Sequence, residues 1–60
     1  METIGEFIVR TLTADDGTVT FYVHDAYDSY GNATPRGGRV REAFDTRQKA
    51  MRYIDICRAL

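Results

Sequence analysis

Apolar positions concentrate in two stretches near the start of the chain, and in the second they alternate with polar ones. Residues 6–13, Glu-Phe-Ile-Val-Arg-Thr-Leu-Thr, are rich in β-branched and aromatic types and predict a strand. Residues 18–25, Thr-Val-Thr-Phe-Tyr-Val-His-Asp, predict a second. Ala14-Asp15-Asp16-Gly17 between them is a hairpin signal. A two-residue Asp16-Gly17 loop would set Leu12 opposite Phe21 and Arg10 opposite Val23, which places a charge on the apolar face. A three-residue Asp15-Asp16-Gly17 loop pairs Thr11 with Phe21, Val9 with Val23 and Phe7 with Asp25. It gathers Phe7, Val9, Val19, Phe21 and Val23 on one face and gives Gly17 the left-handed position of a type I turn with a bulge. A slip of one residue inverts the faces of a strand, so the apolar pattern selects the three-residue loop. The other face then holds Ile8, Arg10, Leu12, Thr20, Tyr22 and His24.

Residues 26–38 contain three of the five glycines and the only proline and predict a long loop, a kind of segment that is often functional or mobile. Residues 39–44, Arg-Val-Arg-Glu-Ala-Phe, predict a shorter third strand, with Val40, Glu42 and Phe44 on one face and Arg39 and Arg41 on the other. Asp45 is a good helix N-cap, and Gln48 three residues later completes a capping box. Beyond it Ala50, Tyr53, Ile54, Cys57 and Leu60 recur at helical spacing and form one stripe. Ile56 falls off that stripe and reads first as a single exposed apolar residue. The expected fold class is α+β: a three-stranded antiparallel sheet (β-β-β) with one C-terminal α-helix packed on one face. The helix stripe is the only available cover for the hairpin's apolar face. The expected core is Phe7, Val9, Phe21, Val23, Val40, Phe44, Ile54 and Cys57, with the opposite sheet face left to water or a partner.

Length changes this picture by limiting stability. Sixty residues make one small domain, spanning 1–60. Such a chain buries only about 60% of its unfolded surface. Small domains add a disulfide, a metal or a second subunit. Cys57 is the only cysteine and His24 the only histidine, so no intrachain disulfide can form and a Cys/His zinc site lacks ligands. Self-association remains, and homodimer and monomer carry equal weight. No apolar run approaches the ~20 residues that span a bilayer. The first residues lack the basic start and apolar core of a signal peptide. The chain therefore reads as cytoplasmic, with no membrane contact, and the sequon Asn32-Ala33-Thr34 reads as chance.

Charge is unevenly distributed. Residues 1–35 carry six acids and one base, a net of −5, while residues 36–60 carry seven bases and three acids, a net of +4. Such asymmetry marks either an interaction surface or two halves that neutralise each other in the fold. Arg36, Arg39 and Arg41 form the most suggestive cluster, with Tyr22, Tyr27 and Tyr30 as aromatic neighbours. Arginine interleaved with aromatics suits phosphate contact and base stacking, and equally suits the anchors of protein interfaces. A sequence pI near 5.6 tells against general nucleic-acid binding.

The stretch Phe44-Asp45-Thr46-Arg47-Gln48-Lys49-Ala50-Met51-Arg52-Tyr53-Ile54-Asp55 resembles the strand-to-helix junction of two DNA-binding families, the plant ethylene-response-factor domain and the arm-binding domain of tyrosine recombinases. The likeness covers about twelve of the sixty residues and rests on a Phe-Asp-Thr step with an Ala four positions beyond the Thr. It implies three strands and a C-terminal helix, and a sheet face that enters the DNA major groove. Carried over by position, that face offers Arg10, Tyr22, Arg39 and Arg41.

Catalytic chemistry has little support in the residues. Arg36-Gly37-Gly38-Arg39 has neither the Walker nor the dinucleotide spacing. Ser29 is the only serine, and Cys57 lies on the helix stripe as a small core residue. His24 is expected on the uncovered sheet face, opposite Ile8, as an ordinary surface histidine, with Asp25 pointing away from it. No enzyme activity, cofactor or metal is expected. The expected function is a non-enzymatic binding or regulatory module acting by protein–protein contact through the uncovered sheet face and the loop at 26–38, of the phage or plasmid accessory or inhibitor kind. DNA binding through the uncovered face is the alternative and a structural homodimer the second. The candidate partner-binding residues are Arg10, Tyr22, His24, Tyr27, Tyr30, Arg36, Arg39 and Arg41.

Overall fold

The computed structural model describes all 60 residues. Strands β1 (Glu2–Ile4), β2 (Phe7–Thr13), β3 (Val19–Asp25) and β4 (Val40–Phe44) form one antiparallel sheet in the order β1-β2-β3-β4, and a single helix, α1 (Arg47–Ala59), follows. The α+β class and the C-terminal helix packed on an antiparallel sheet match the expectation. The sheet has four strands rather than three. The additional strand pairs Glu2 with Val9, Thr3 with Ile8 and Ile4 with Phe7. Its turn is Gly5-Glu6, with Gly5 at φ +57° and Glu6 at negative φ. Glycine at the first central position of a two-residue loop is the type II′ arrangement, whose twist suits a hairpin. A three-residue strand has too few positions for alternation to declare itself, so only the Gly-Glu step announced it.

The β2–β3 hairpin has the register that the apolar pattern selects. Val9 faces Val23, Thr11 faces Phe21 and Phe7 faces Asp25. Ala14 N–H donates to Thr18 O at 2.8 Å, and Gly17 takes φ +89°. Asp16 Oδ1 accepts from Thr18 N–H at 2.9 Å, and the Thr18 side chain first and this N–H second draw the Asp16 pKa below the ordinary carboxylate range.

β4 departs from simple alternation. Val23 pairs with Glu42 but His24 pairs with Val40, so Arg41 is an extra residue in a β-bulge. The bulge turns Val40 onto the His24 face, where it is 50% exposed, instead of into the core beside Phe44. It also brings Arg41 to the helix side of the sheet, beside Asp25, the reverse of its expected face.

The helix begins one residue later than expected. Thr46, extended at φ −133°, is the N-cap, and its Oγ1 accepts from Lys49 N–H at 3.2 Å. Asp45 instead forms an ion pair with Lys49 Nζ at 2.9 Å, which holds the Asp45 pKa low. The inward face of α1 contributes Ala50 and Ile54 to a cluster with Phe7, Val9 and Val23. Phe21, Phe44, Tyr53 and Cys57 border this cluster, as do Ile4 and Met51. Leu60 ends the predicted stripe but lies fully exposed past the helix, and Ile56 is exposed as a single apolar residue. Ile54 and Val23 have no exposed surface, and each such burial stabilises by about 1.5–3 kcal/mol.

The second sheet face is half covered by the chain itself. Residues 26–38 fold back as a closed loop. Tyr27 and Ala33 bridge, and Asp28 Oδ1 accepts from Tyr30 N–H and Asn32 N–H, both at 2.9 Å. Thr34 N–H donates to Ala26 O at 2.8 Å, and Gly38 N–H to Asp25 O at 2.8 Å. Ile8 is buried under this loop, and Ala26, its first residue, is buried as well. No helix is long and apolar enough to cross a membrane.

Candidate functional site

The bulge and the closed loop divide the eight candidate residues between two sides of the sheet. Arg10, Tyr22 and His24 lie on the loop side. His24 is not a surface residue there: it is 6% exposed, and its ring joins sheet to loop. Arg10 Nε–H donates to His24 Nε2 at 3.2 Å, so the ring proton resides on Nδ1 and donates to Gly38 O at 3.0 Å. Both ring nitrogens are used in holding the fold. A Cβ on Gly37 would stand 3.0 Å from His24 Nδ1, which explains a glycine at that point of contact. Arg10 also lies over the Tyr22 ring at 4.7 Å, a cation–π contact that occupies what would otherwise be a free guanidinium. Beyond this group the face is open, with Leu12 half exposed.

Arg39 and Arg41 lie on the helix side, at the end of the sheet where β3 finishes and β4 begins. Both approach Asp25: Arg41 Nη1 donates to Oδ1 at 3.3 Å, and Arg39 Nε stands 3.6 Å from Oδ2. Tyr53 first, and Asp25 second, hold the Arg41 pKa above its ordinary value. The two arginines line a concavity of about 840 Å³. Phe7 and Cys57 form its apolar floor, and half-exposed Tyr27 contributes a wall. The carboxylates of Glu6, Asp25 and Asp28 line it as well. Tyr30 stands 88% exposed at the loop tip and Arg36 is exposed on the following turn.

The pattern of candidate residues missed Glu6, Asp25 and Asp28. Their signal was the charge split. Three of the four ion pairs join the acidic first part of the chain to the basic second: Arg39 and Arg41 with Asp25, and Arg47 with Glu2 at 2.7 Å. Part of the polarity is thus neutralised within the fold, although exposed, solvent-screened pairs contribute little to stability. The face that the DNA-binding resemblance assigns to Arg10, Tyr22, Arg39 and Arg41 therefore holds only the first two.

Chemically the concavity can form ion pairs, hydrogen bonds and apolar contacts. Nowhere do three His, Cys, Asp or Glu side chains converge as metal ligands would. Neither family models, curated proteins nor solved structures give a match to this chain.

Proposed function

We propose that this chain is a non-enzymatic binding module that works by protein–protein contact, through the helix-side concavity. The observation that carries this reading is the mixed lining. An apolar floor, a half-exposed tyrosine and charges of both signs stand together in one recess. Tyrosine and arginine around a recess are what protein partners use as anchors. A surface of mixed sign suits another mixed surface better than a polyanion, because three carboxylates oppose phosphate there. A regulatory or accessory role, as in small phage or plasmid proteins, fits the size. The test is affinity capture from host lysate with and without nuclease. Retention of a protein partner after nuclease treatment supports the reading, and loss of all captured material rejects it.

DNA binding through the open sheet face is the second reading; that face carries the exposed Leu12, with the Arg10 charge on it engaged by His24 and Tyr22. It requires duplex affinity that falls steeply with salt as counterions are released. Absence of duplex binding at low salt removes it. Self-association is the third, and molar mass by light scattering decides it.

A further inference from the structure

The charges of the concavity are not all satisfied within the chain. Asp25 is engaged by Arg41, whereas the Arg39 side chain makes no hydrogen bond and is 72% exposed. Glu6 and Asp28 line the same recess, and neither is ion-paired. Asp28 Oδ1 is fixed by two backbone N–H groups, which sets the carboxylate in place and leaves Oδ2 open. Tyr27 lines the same recess, and helix α1 ends at this side, its last turn carrying Cys57 and Arg58, whose guanidinium lies by Gly5.

We infer that the concavity receives a segment of a partner protein in which a Lys or Arg side chain enters against Tyr27, Glu6 and Asp28, and an acidic residue a few positions away pairs with Arg39. The inference rests on the protein-contact reading above and specifies the partner's chemistry. A cation there gains two carboxylates and an aromatic wall. The acidic residue gives Arg39 the partner that Asp25, shared with Arg41, supplies only at 3.6 Å. A volume near 840 Å³ exceeds the needs of one side chain, so the apolar floor of Phe7 and Cys57 accommodates the residue between the two charges.

The test uses four short synthetic peptides of equal length: one with Arg and Asp flanking apolar residues, one with both charges basic, one with both acidic, and one neutral. Each is titrated into the isotopically labelled 60-residue protein and followed by NMR, alongside a short DNA duplex. The mixed-charge peptide is expected to bind best and to shift the resonances of Tyr27, Asp28 and Arg39. Glu6→Gln with Asp28→Asn should weaken it at least about tenfold, and the asparagine keeps the Oδ1 acceptor that closes the loop. Arg39→Gln should weaken the mixed peptide but not the basic one. Tighter binding of the acidic peptide or the duplex overturns the inference, and so do shifts centred on Leu12 and Tyr22 or no shifts at all. If protein capture after nuclease persists in such a case, the protein-contact reading survives and only the partner chemistry falls. Loss of both defeats both.

Discussion

The two faces of this sheet are closed by different physics. On one face α1 lays Ala50 and Ile54 against Phe7, Val9 and Val23, and burial of apolar area does the holding. On the other, residues 26–38 are held by directional polar contacts: His24 between Arg10 and Gly38, Thr34 to Asp25 O, and Asp28 closing its own turn. Apolar burial is tolerant of small shifts, whereas each polar contact needs its partner in one place. The helix side therefore sets global stability, and the loop side sets the position of a short segment. The charged concavity lies at the end of the sheet where the helix and the base of the loop meet, so both faces support it.

The largest effect should come from the helix side. Ile54→Ala should cost about 2–5 kcal/mol, enough to unfold much of so small a domain, as read by urea denaturation. A cost below about 1 kcal/mol would mean that the helix does not seal the core. On the loop side Gly37→Ala should cost about 2 kcal/mol, because φ is +87° and the new Cβ meets the His24 ring. His24→Leu should cost about 1–3 kcal/mol by leaving Gly38 O and the Arg10 guanidinium unpaired. Both loop-side changes should speed amide exchange in residues 26–38 more than in α1. Equal acceleration throughout would erase the distinction between the faces.

Smaller effects sharpen the helix boundary. Thr46→Ala should cost about 1 kcal/mol and Asp45→Ala much less, since the first removes the cap and the second only an exposed i,i+4 pair. The opposite ranking would restore Asp45 as the cap. Smallest is the pH response of Asp16 and Asp45. Their folded pKa values lie below the ordinary carboxylate value of 3.8, so the stability they lend is full above that value and declines as pH falls below it. Asp16→Asn with Asp45→Asn should flatten the acid limb of a stability–pH profile, and an unchanged limb would contradict these assignments.

The apolar face was legible in the sequence because only a three-residue turn kept Arg10 off the face that Val19, Phe21 and Val23 share in β3, and helical spacing set the Ala50–Ile54 stripe. What escaped was non-periodic. A three-residue strand such as β1 has no period to read. The bulge at Arg41 is one inserted residue, and that single step moved Val40 out of the core and Arg41 onto the helix side. His24 read as a surface residue because alternation gives its face and not what covers it. The capping shift from Asp45 to Thr46 lay between two adjacent residues that both cap well. At the site, Arg39, Arg41 and Tyr27 were legible as candidates. The acids beside them were hidden in the charge split, which says that the halves differ without saying which residues meet.

The most direct test of the helix-side concavity as the contact surface is capture from nuclease-treated lysate by three forms of the protein compared side by side: unmodified, Arg39→Glu and Leu12→Glu. Both positions are exposed, one in the concavity and one on the open sheet face. The expected result is that Arg39→Glu loses the partner at least about tenfold while Leu12→Glu retains it. Retention by Arg39→Glu with loss by Leu12→Glu would contradict the assignment and move the contact to the open sheet face.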